Sequence, residues 1–178
     1  MSVRVPALGI SLALLLVACN RPEVSEIPKV ICGTPVDPAL TRRLGTPTGE
    51  WREYNRFSRA EAITAPCLIR SSRDVILNFR FSWRPVATDL MYLAEDTGSV
   101  SRVTEPRSVR SSYKTVVGTD GAIAQTRCKN KGGNYFTLTL QLPQVKLADQ
   151  SHRADIENFM RAYFPATLAT LGCVTSAT

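Results

Sequence analysis

The stretch Val75-Ile76-Leu77-Asn78-Phe79-Arg80-Phe81-Ser82-Trp83 has the most regular pattern in the chain. Apolar side chains at every second position alternate with a set that is mostly polar. Because successive side chains of a β-strand point to opposite faces of a sheet, this period of two predicts a half-buried strand. Its odd-numbered residues would face a core and its even-numbered residues would face solvent.

Further strand-like stretches lie on both sides of this one. Each is bounded by turn residues such as Gly118-Thr119-Asp120-Gly121. They span residues 51–57, 62–70, 113–117, 122–128 and 135–142. Two amphipathic helices are predicted, one over 85–95 and one that begins near Ser151 and is kinked or ended by Pro165. A shorter helix begins at Asp37-Pro38, where Asp is the N-cap and Pro the first helical residue.

This order of elements predicts an α+β fold built from two βββα-like halves. A shift of 61 residues places Cys67 on Cys128, and it places the apolar positions 75, 77, 79 and 81 on 136, 138, 140 and 142. We expect an antiparallel sheet, or two such sheets, with the helices packed on one side and two disulfides. Chance resemblance between two antiparallel meanders is the alternative to a true duplication.

The first 19 residues resemble the export signal of a bacterial lipoprotein. Arg4 precedes an apolar stretch over 5–18, and Leu16-Val17-Ala18-Cys19 is similar to a lipobox. The resemblance implies that residues 1–18 are removed and that the Cys19 thiol carries diacylglycerol. The stretch is shorter than the about 20 apolar residues of a transmembrane helix. An ordinary signal peptide with a coincidental cysteine is the other alternative.

Three regions follow from this interpretation. Residues 1–18 are the cleaved signal peptide, 19–31 a lipid-anchored tether, and 32–174 a single disulfide-stapled domain. Loss of residues 1–18 leaves 160 of the 178 residues, a length that suits one domain. The expected location is the extracytoplasmic face of the cell membrane.

Four cysteines lie beyond the lipobox, at Cys32, Cys67, Cys128 and Cys173. An even number of cysteines in an exported chain indicates two disulfides. The rival interpretation is a metal site, but the spacings contain no C-x₂-C pair and His152 is the only histidine. Three pairings are possible, and the apparent repeat favours Cys67 with Cys128 and Cys32 with Cys173.

The charge balance of the chain is basic. The formal net charge is +7, and loss of Arg4 lowers it to +6. Acidic and basic residues are interspersed, without the Lys/Arg block typical of nucleic-acid binding, so nucleic acid is not an expected partner. A basic exported domain favours anionic lipid headgroups, an anionic cell-wall polymer or an envelope protein. The alternative is a soluble surface that happens to be basic.

A catalytic constellation is not apparent in the sequence. His152 is the only candidate base for a serine nucleophile, it lies at a predicted helix start, and no G-x-S-x-G motif is present. The acidic residues near the two longer helices have the spacing of solvated helix surfaces. We therefore expect no catalytic residue, no metal and no cofactor.

The best positive signal is a basic, partly aromatic sheet face. If the predicted strands point their apolar sets inward, the outward set includes arginines and a tyrosine: Arg52, Tyr54, Arg56, Arg80 and Arg84. Guanidinium groups bind phosphates and carboxylates through two parallel hydrogen bonds. These residues are a candidate patch for an anionic ligand, and an ordinary solvated face is the alternative.

Taken together, the lipobox, the tether, Cys-Gly-Thr-Pro-Val-Asp-Pro at 32–38 and the closing Gly172-Cys173 resemble small actinobacterial lipoproteins of the Streptomyces type. The resemblance implies location and disulfides but no mechanism, and Cys19 is the only functional residue it carries over. We expect a non-enzymatic binding or accessory domain for an envelope component or a partner protein. The alternatives are an envelope hydrolase with an unrecognised site and an inhibitor-like domain that presents a loop such as 99–111.

The lipobox generates the first testable prediction. We expect mass spectrometry of the mature N-terminus to find an acylated Cys19, because the thiol of that residue is the expected lipid acceptor. A Cys19→Ser variant, which removes the acceptor thiol, should leave the membrane fraction. An unmodified thiol on a protein recovered from the medium would contradict the anchor.

Overall fold

The computed structural model describes residues 26–45, 49–55, 59, 63–145 and 150–173. Cys19 and the lipobox lie outside the described residues, as does Arg56. The strands are β1 (Val30–Ile31), β2 (Thr34–Pro35), β3 (Trp51–Asn55), β4 (Thr64–Ser71), β5 (Asp74–Arg84), β6 (Arg107–Ser108), β7 (Lys114–Val117), β8 (Gly121–Asn130) and β9 (Gly133–Gln141). The helices are α1 (Pro38–Leu44), α2 (Leu90–Glu95) and α3 (His152–Thr170). Across the described ranges, no helix has the length and apolar character needed to cross a membrane.

Seven strands form one antiparallel sheet in the order β3-β4-β5-β9-β8-β7-β6, and β1 and β2 form a separate hairpin. The meanders β3-β4-β5 and β7-β8-β9 meet where β5 pairs with β9, with Phe79 opposite Leu140. Those two residues are 61 positions apart, the shift that relates the two halves in sequence. The predicted α+β class, the antiparallel sheet and the two disulfides are confirmed.

The core lies on the side of the sheet that we call the core face. Side chains at alternate positions of β4, β5, β8 and β9 point to this face and pack against α3. Aromatic rings dominate the contact: Phe79 lies 4.9 Å from Tyr163, centroid to centroid, and Phe136 lies 5.8 Å from Phe164. Burial of such large apolar side chains contributes roughly 2 kcal/mol each, so this contact fixes α3 on the sheet.

Helix α2 lies on the opposite side of the sheet. Its buried residues pack on Val116 of β7 and Ile123 of β8, which alternate with the residues of the core face. The expectation of helices on one side therefore holds for α1 and α3, which pack together, but not for α2. A two-fold relation between the meanders would keep both helices on one face, so the repeat does not extend to the helices.

Two predicted helix boundaries differ from the structure. The predicted helix over 85–95 is reduced to α2, because the Asp89 carboxylate accepts hydrogen bonds from the backbone N–H groups of Met91 and Tyr92 and thereby caps the helix there. Helix α3 continues past Pro165 to Thr170. Proline removes one hydrogen bond of the helical ladder, and buried residues on both sides of it, Phe164 and Leu168, hold the two segments on the same core.

Strand β4 includes Pro66. Pro66 lies opposite Arg80 of β5, whereas β3 ends at Asn55, opposite Cys67. Pro66 therefore has no neighbour in β3. Because the N–H that proline lacks would point to that side, the sheet loses no hydrogen bond.

The disulfides are Cys32–Cys67 and Cys128–Cys173, so the predicted pairing was wrong. Strands β5 and β9 lie between β4, which holds Cys67, and β8, which holds Cys128. Three strand spacings separate these two cysteines by roughly 14 Å, whereas the bonded Cα pairs lie 6.0 and 5.2 Å apart. Each disulfide instead fastens a terminal segment to one half of the sheet.

The N-terminal segment is fastened to the core face beyond its disulfide. The Tyr163 hydroxyl donates to the Ile31 carbonyl at 2.9 Å, and the hydroxyls of Thr34 and Thr167 are 3.1 Å apart. Ile27 is already buried, with 4% of its surface exposed. The packed domain therefore begins earlier than Cys32, and the last residues of the predicted tether belong to it.

The disulfides can be checked by a peptide map of non-reduced protein. We expect peptides that link Cys32 to Cys67 and Cys128 to Cys173. Closing loops of 35 and 45 residues stabilises the domain by roughly 4 kcal/mol each on the chain-entropy model, so reduction should lower the denaturant midpoint. A Cys67–Cys128 peptide would contradict the structure.

Tyr163 gives a pH-dependent prediction. Burial raises the pKa of its phenol above the ordinary value of 10.0. The folded chain then holds this proton more tightly than the unfolded chain does, so the contribution is complete below about pH 10 and is lost as pH rises above it. Tyr163→Phe should cost about 1 kcal/mol near neutral pH, for the lost hydrogen bond to Ile31, and should flatten the loss of stability at alkaline pH. Urea unfolding of both proteins across the alkaline range measures this, and identical pH profiles would refute it.

Candidate functional site

The predicted patch lies on the side of the sheet opposite the core face. Helix α2 and Val103 cover part of this side, over β7 and β8, and we call the uncovered remainder the open face. Arg52 and Tyr54 of β3 alternate with Glu53, whose carboxylate contacts the Cys32 N–H on the core side. Arg80 and Arg84 of β5 alternate with buried core residues. The four described members of the predicted patch therefore share one face.

Two further arginines on the open face were missed from the sequence. The guanidinium carbon of Arg70 lies 5.5 Å from the ring centroid of Tyr54. That of Arg127 lies 5.8 Å from the centroid of Tyr135, and its Nε donates to the Tyr135 hydroxyl at 3.1 Å. Each missed arginine directly follows or precedes an inward-facing residue of its strand, so the alternation of β4 and β8 was the available signal.

The register shows how these side chains are distributed. Arg84 lies opposite Tyr135, and Tyr135 lies opposite Arg127, so these three form one row across β5, β9 and β8. Arg52 and Arg70 lie opposite each other at the other end of the face. About eight residues of β5 separate the two ends, which corresponds to roughly 27 Å. The basic residues therefore follow a track rather than converge on one point.

Arg52 is already paired within the chain. Its Nε and Nη2 donate to the Glu50 carboxylate at 3.2 and 3.0 Å, and that interaction raises the pKa of Arg52. Within the described ranges, Arg70, Arg80, Arg84 and Arg127 form no ion pair with a carboxylate. Their hydrogen-bonding capacity toward an anion is correspondingly larger than that of Arg52.

Three arginines on the core side of the domain pair with carboxylates. Arg43 pairs with Asp155 at 3.7 Å, Arg153 with Glu105 at 3.6 Å, and Arg161 with Glu157 at 2.5 Å. These pairs all involve α3. The three arginines differ in this pairing from Arg70, Arg80, Arg84 and Arg127 of the open face, which have no carboxylate partner among the described residues.

Hydrogen-bonded polar side chains lie at the border of the open face, and two of them, Gln125 and Thr137, are buried. Asn78 Nδ2 donates to Gln141 Oε1 at 3.1 Å, and Gln141 Nε2 donates to the Arg102 carbonyl at 2.8 Å. Gln125 Nε2 donates to the Thr137 hydroxyl at 2.9 Å. These hydrogen bonds connect β5, β9 and β8 between the two groups of arginines.

An open groove of about 410 Å³ lies at the β3 end of this face. Its lining consists of Tyr54, Pro66, Leu68 and Arg70. Tyr54 lies opposite Leu68 in the register, and 48% of Tyr54 is exposed. The groove therefore combines an apolar floor with one guanidinium group.

The segment 99–111, proposed as an inhibitory loop, is held against the sheet. Val103 is buried, and Thr104 donates from its N–H and its hydroxyl to the Asp120 carboxylate at 2.7 and 2.9 Å. Residues Arg107–Ser108 pair with β7. The segment thus closes one side of the domain and does not project from it.

One cluster has the residue types of a metal site. Ligand atoms of Cys32, Glu53 and Cys67 lie within 4.8 Å of one another. The two sulfurs are bonded to each other, and the Glu53 carboxylate accepts from the Cys32 N–H at 2.7 Å. Thiolates are the sulfur ligands that metals require, so the oxidised cluster is a structural contact.

Comparison of the chain with protein-family models, with curated proteins and with solved structures finds no match.

Proposed function

We propose that this chain is a membrane-anchored extracytoplasmic lipoprotein whose domain binds an anionic polymer of the cell envelope without catalysing a reaction. The lipobox supports the anchor, and two disulfides are typical of chains that fold in an oxidising compartment. Ile27 is only eight residues from Cys19. A chain of that length spans at most roughly 28 Å, so the domain would act close to the membrane surface.

The observation that carries the binding proposal is the set of uncompensated arginines on the open face. A guanidinium group offers five N–H donors in a planar fork that matches carboxylate and phosphate oxygens. Arg70, Arg80 and Arg84 make no hydrogen bond through their side chains to another described residue. Their donors are directed to solvent or to a ligand, whereas the arginines on α3 are bound to neighbouring carboxylates.

The spread of the arginines favours a polymer over a small anion. Arg70 and Arg84 lie near opposite ends of β5, roughly 27 Å apart along the strand direction. A monomeric anion would contact only one end of this track. A chain with repeated negative charges would contact several arginines, and each contact after the first would form at a high effective concentration.

Paired substitutions on opposite faces test this proposal. We expect Arg70→Gln/Arg84→Gln to weaken binding of isolated anionic wall polymer about tenfold, equivalent to roughly 1.4 kcal/mol, and to reduce its dependence on salt. The control is Arg42→Gln/Arg43→Gln in α1, which removes the same charge from exposed positions on the other side. Its affinity should stay within twofold of wild type. Fluorescence anisotropy with labelled polymer measures both.

Two results would count against the proposal. Equal losses in the two double variants would mean that net charge alone governs binding, without a role for the open face. Absence of binding by the wild-type protein at physiological salt would remove the proposed ligand class altogether.

A further inference from the structure

We infer that the groove formed by Tyr54, Pro66, Leu68 and Arg70 is a subsite for one uronic-acid residue of an acidic glycan. The sugar ring would lie on the apolar floor and its carboxylate would bind Arg70. This inference rests on the proposed function and narrows it, from anionic polymers in general to polysaccharides with carboxylate-bearing rings.

The floor of the groove suits a ring more than a flexible chain. Tyr54 and Leu68 lie opposite each other on adjacent strands, and Pro66 continues the surface along β4. The volume of about 410 Å³ lies within the roughly 300–1,000 Å³ of small-molecule sites, which are mostly apolar with a few polar groups that orient the ligand. A half-exposed tyrosine offers a flat apolar surface with little conformational entropy to lose.

The Arg70 guanidinium in the groove is positioned by a neighbouring ring and has no anionic partner among the described residues. Contact with the Tyr54 ring, at 5.5 Å, positions the Arg70 guanidinium beside the floor. Among the described residues it makes no ion pair or hydrogen bond. A carboxylate attached to a ring on Tyr54 would therefore meet a guanidinium that is already oriented, and a fork of two hydrogen bonds would form.

A polar acceptor lies beside the apolar floor. Asn78 is opposite Leu68 in the register, and its amide nitrogen donates to Gln141. This hydrogen bond fixes the orientation of the amide and leaves Asn78 Oδ1 as an acceptor. The hydroxyl groups of a sugar ring are suitable donors for it. The groove thus supplies the stacking surface and the cation, and Asn78 on the next strand supplies an acceptor beside it.

This combination distinguishes acidic glycans from other polyanions. Polyphosphate and phospholipid headgroups would use the arginines of the open face, but they carry no sugar ring with an apolar side for the Tyr54 floor. Binding of a glycan should therefore depend on Tyr54 and on the arginines, whereas binding of polyphosphate should depend on the arginines alone.

Isothermal titration calorimetry with oligogalacturonate and with inorganic polyphosphate tests the subsite. We expect Tyr54→Ala to weaken oligogalacturonate binding about tenfold and to leave polyphosphate binding within twofold of wild type. Tyr54→Phe should retain glycan binding because the ring surface remains. Arg84→Gln, outside the groove, should weaken both ligands. Leu68→Asn, on the neighbouring strand, should reproduce the selective effect of Tyr54→Ala. Agreement between the two variants would exclude local unfolding of the edge strand β3 as the cause of the weaker glycan binding.

The control is Tyr92→Ala in α2, which removes a tyrosine that is 64% exposed on a helix packed over β7 and β8, outside the groove. It should change neither affinity. Equal effects of Tyr54→Ala on both ligands, or no effect on the glycan, would overturn the subsite and leave the proposed function standing as long as Arg84→Gln weakens polyphosphate. Both proposals would be refuted if the wild-type protein bound neither oligogalacturonate nor polyphosphate, whether or not it bound vesicles of anionic phospholipid.

Discussion

The pairing of β5 with β9 is the interaction on which the rest of the domain depends. It joins two three-stranded meanders into one sheet, and it brings Phe79, Phe81, Phe136 and Leu140 onto one face as a continuous apolar surface. Helix α3 packs there through Phe159 and Tyr163. Because side chains alternate along a strand, the same register that builds the core also places the arginines on the opposite face. The pairing of β5 with β9 therefore determines both the core and the face on which the candidate site lies.

The disulfides have a different role from the sheet. Each connects the sheet to a segment outside it: Cys67 of β4 to the turn of the N-terminal hairpin, and Cys128 of β8 to Cys173, three residues beyond the end of α3. The two halves of the sheet are held together by ladder hydrogen bonds and the core, without a covalent link between Cys67 and Cys128. Both linked segments approach from the core face, so neither disulfide crosses the open face.

Local patterns in the sequence predict the strands and the side-chain faces, but not the neighbours of each strand. The alternation over 75–83 was enough to place Arg80 and Arg84 on the solvent side of β5. The pairing of Cys67 with Cys128 failed because it depends on strand order, and β5 and β9 come between them. Alternation along β4 could have placed Arg70 on the solvent side, but its contact with Tyr54 on the next strand depends on the register. Groups that act together across strands become visible only when the register is known.

The arginines of the open face place little demand on the fold. Arg84 and Arg127 lie two strands apart, roughly 10 Å, where two charges in water repel by about 0.4 kcal/mol, less once salt screens them. Arg153 is different, because only 17% of its side chain is exposed and it donates to the carbonyls of Glu105 and Val117. Removing its guanidinium would break both hydrogen bonds, and a hydrogen bond to a charged group contributes about 1.5–3 kcal/mol. The stability of the fold therefore depends on Arg153 but very little on the arginines of the open face. A loss of binding when the open-face arginines are substituted would then report on the contact with the ligand and not on folding.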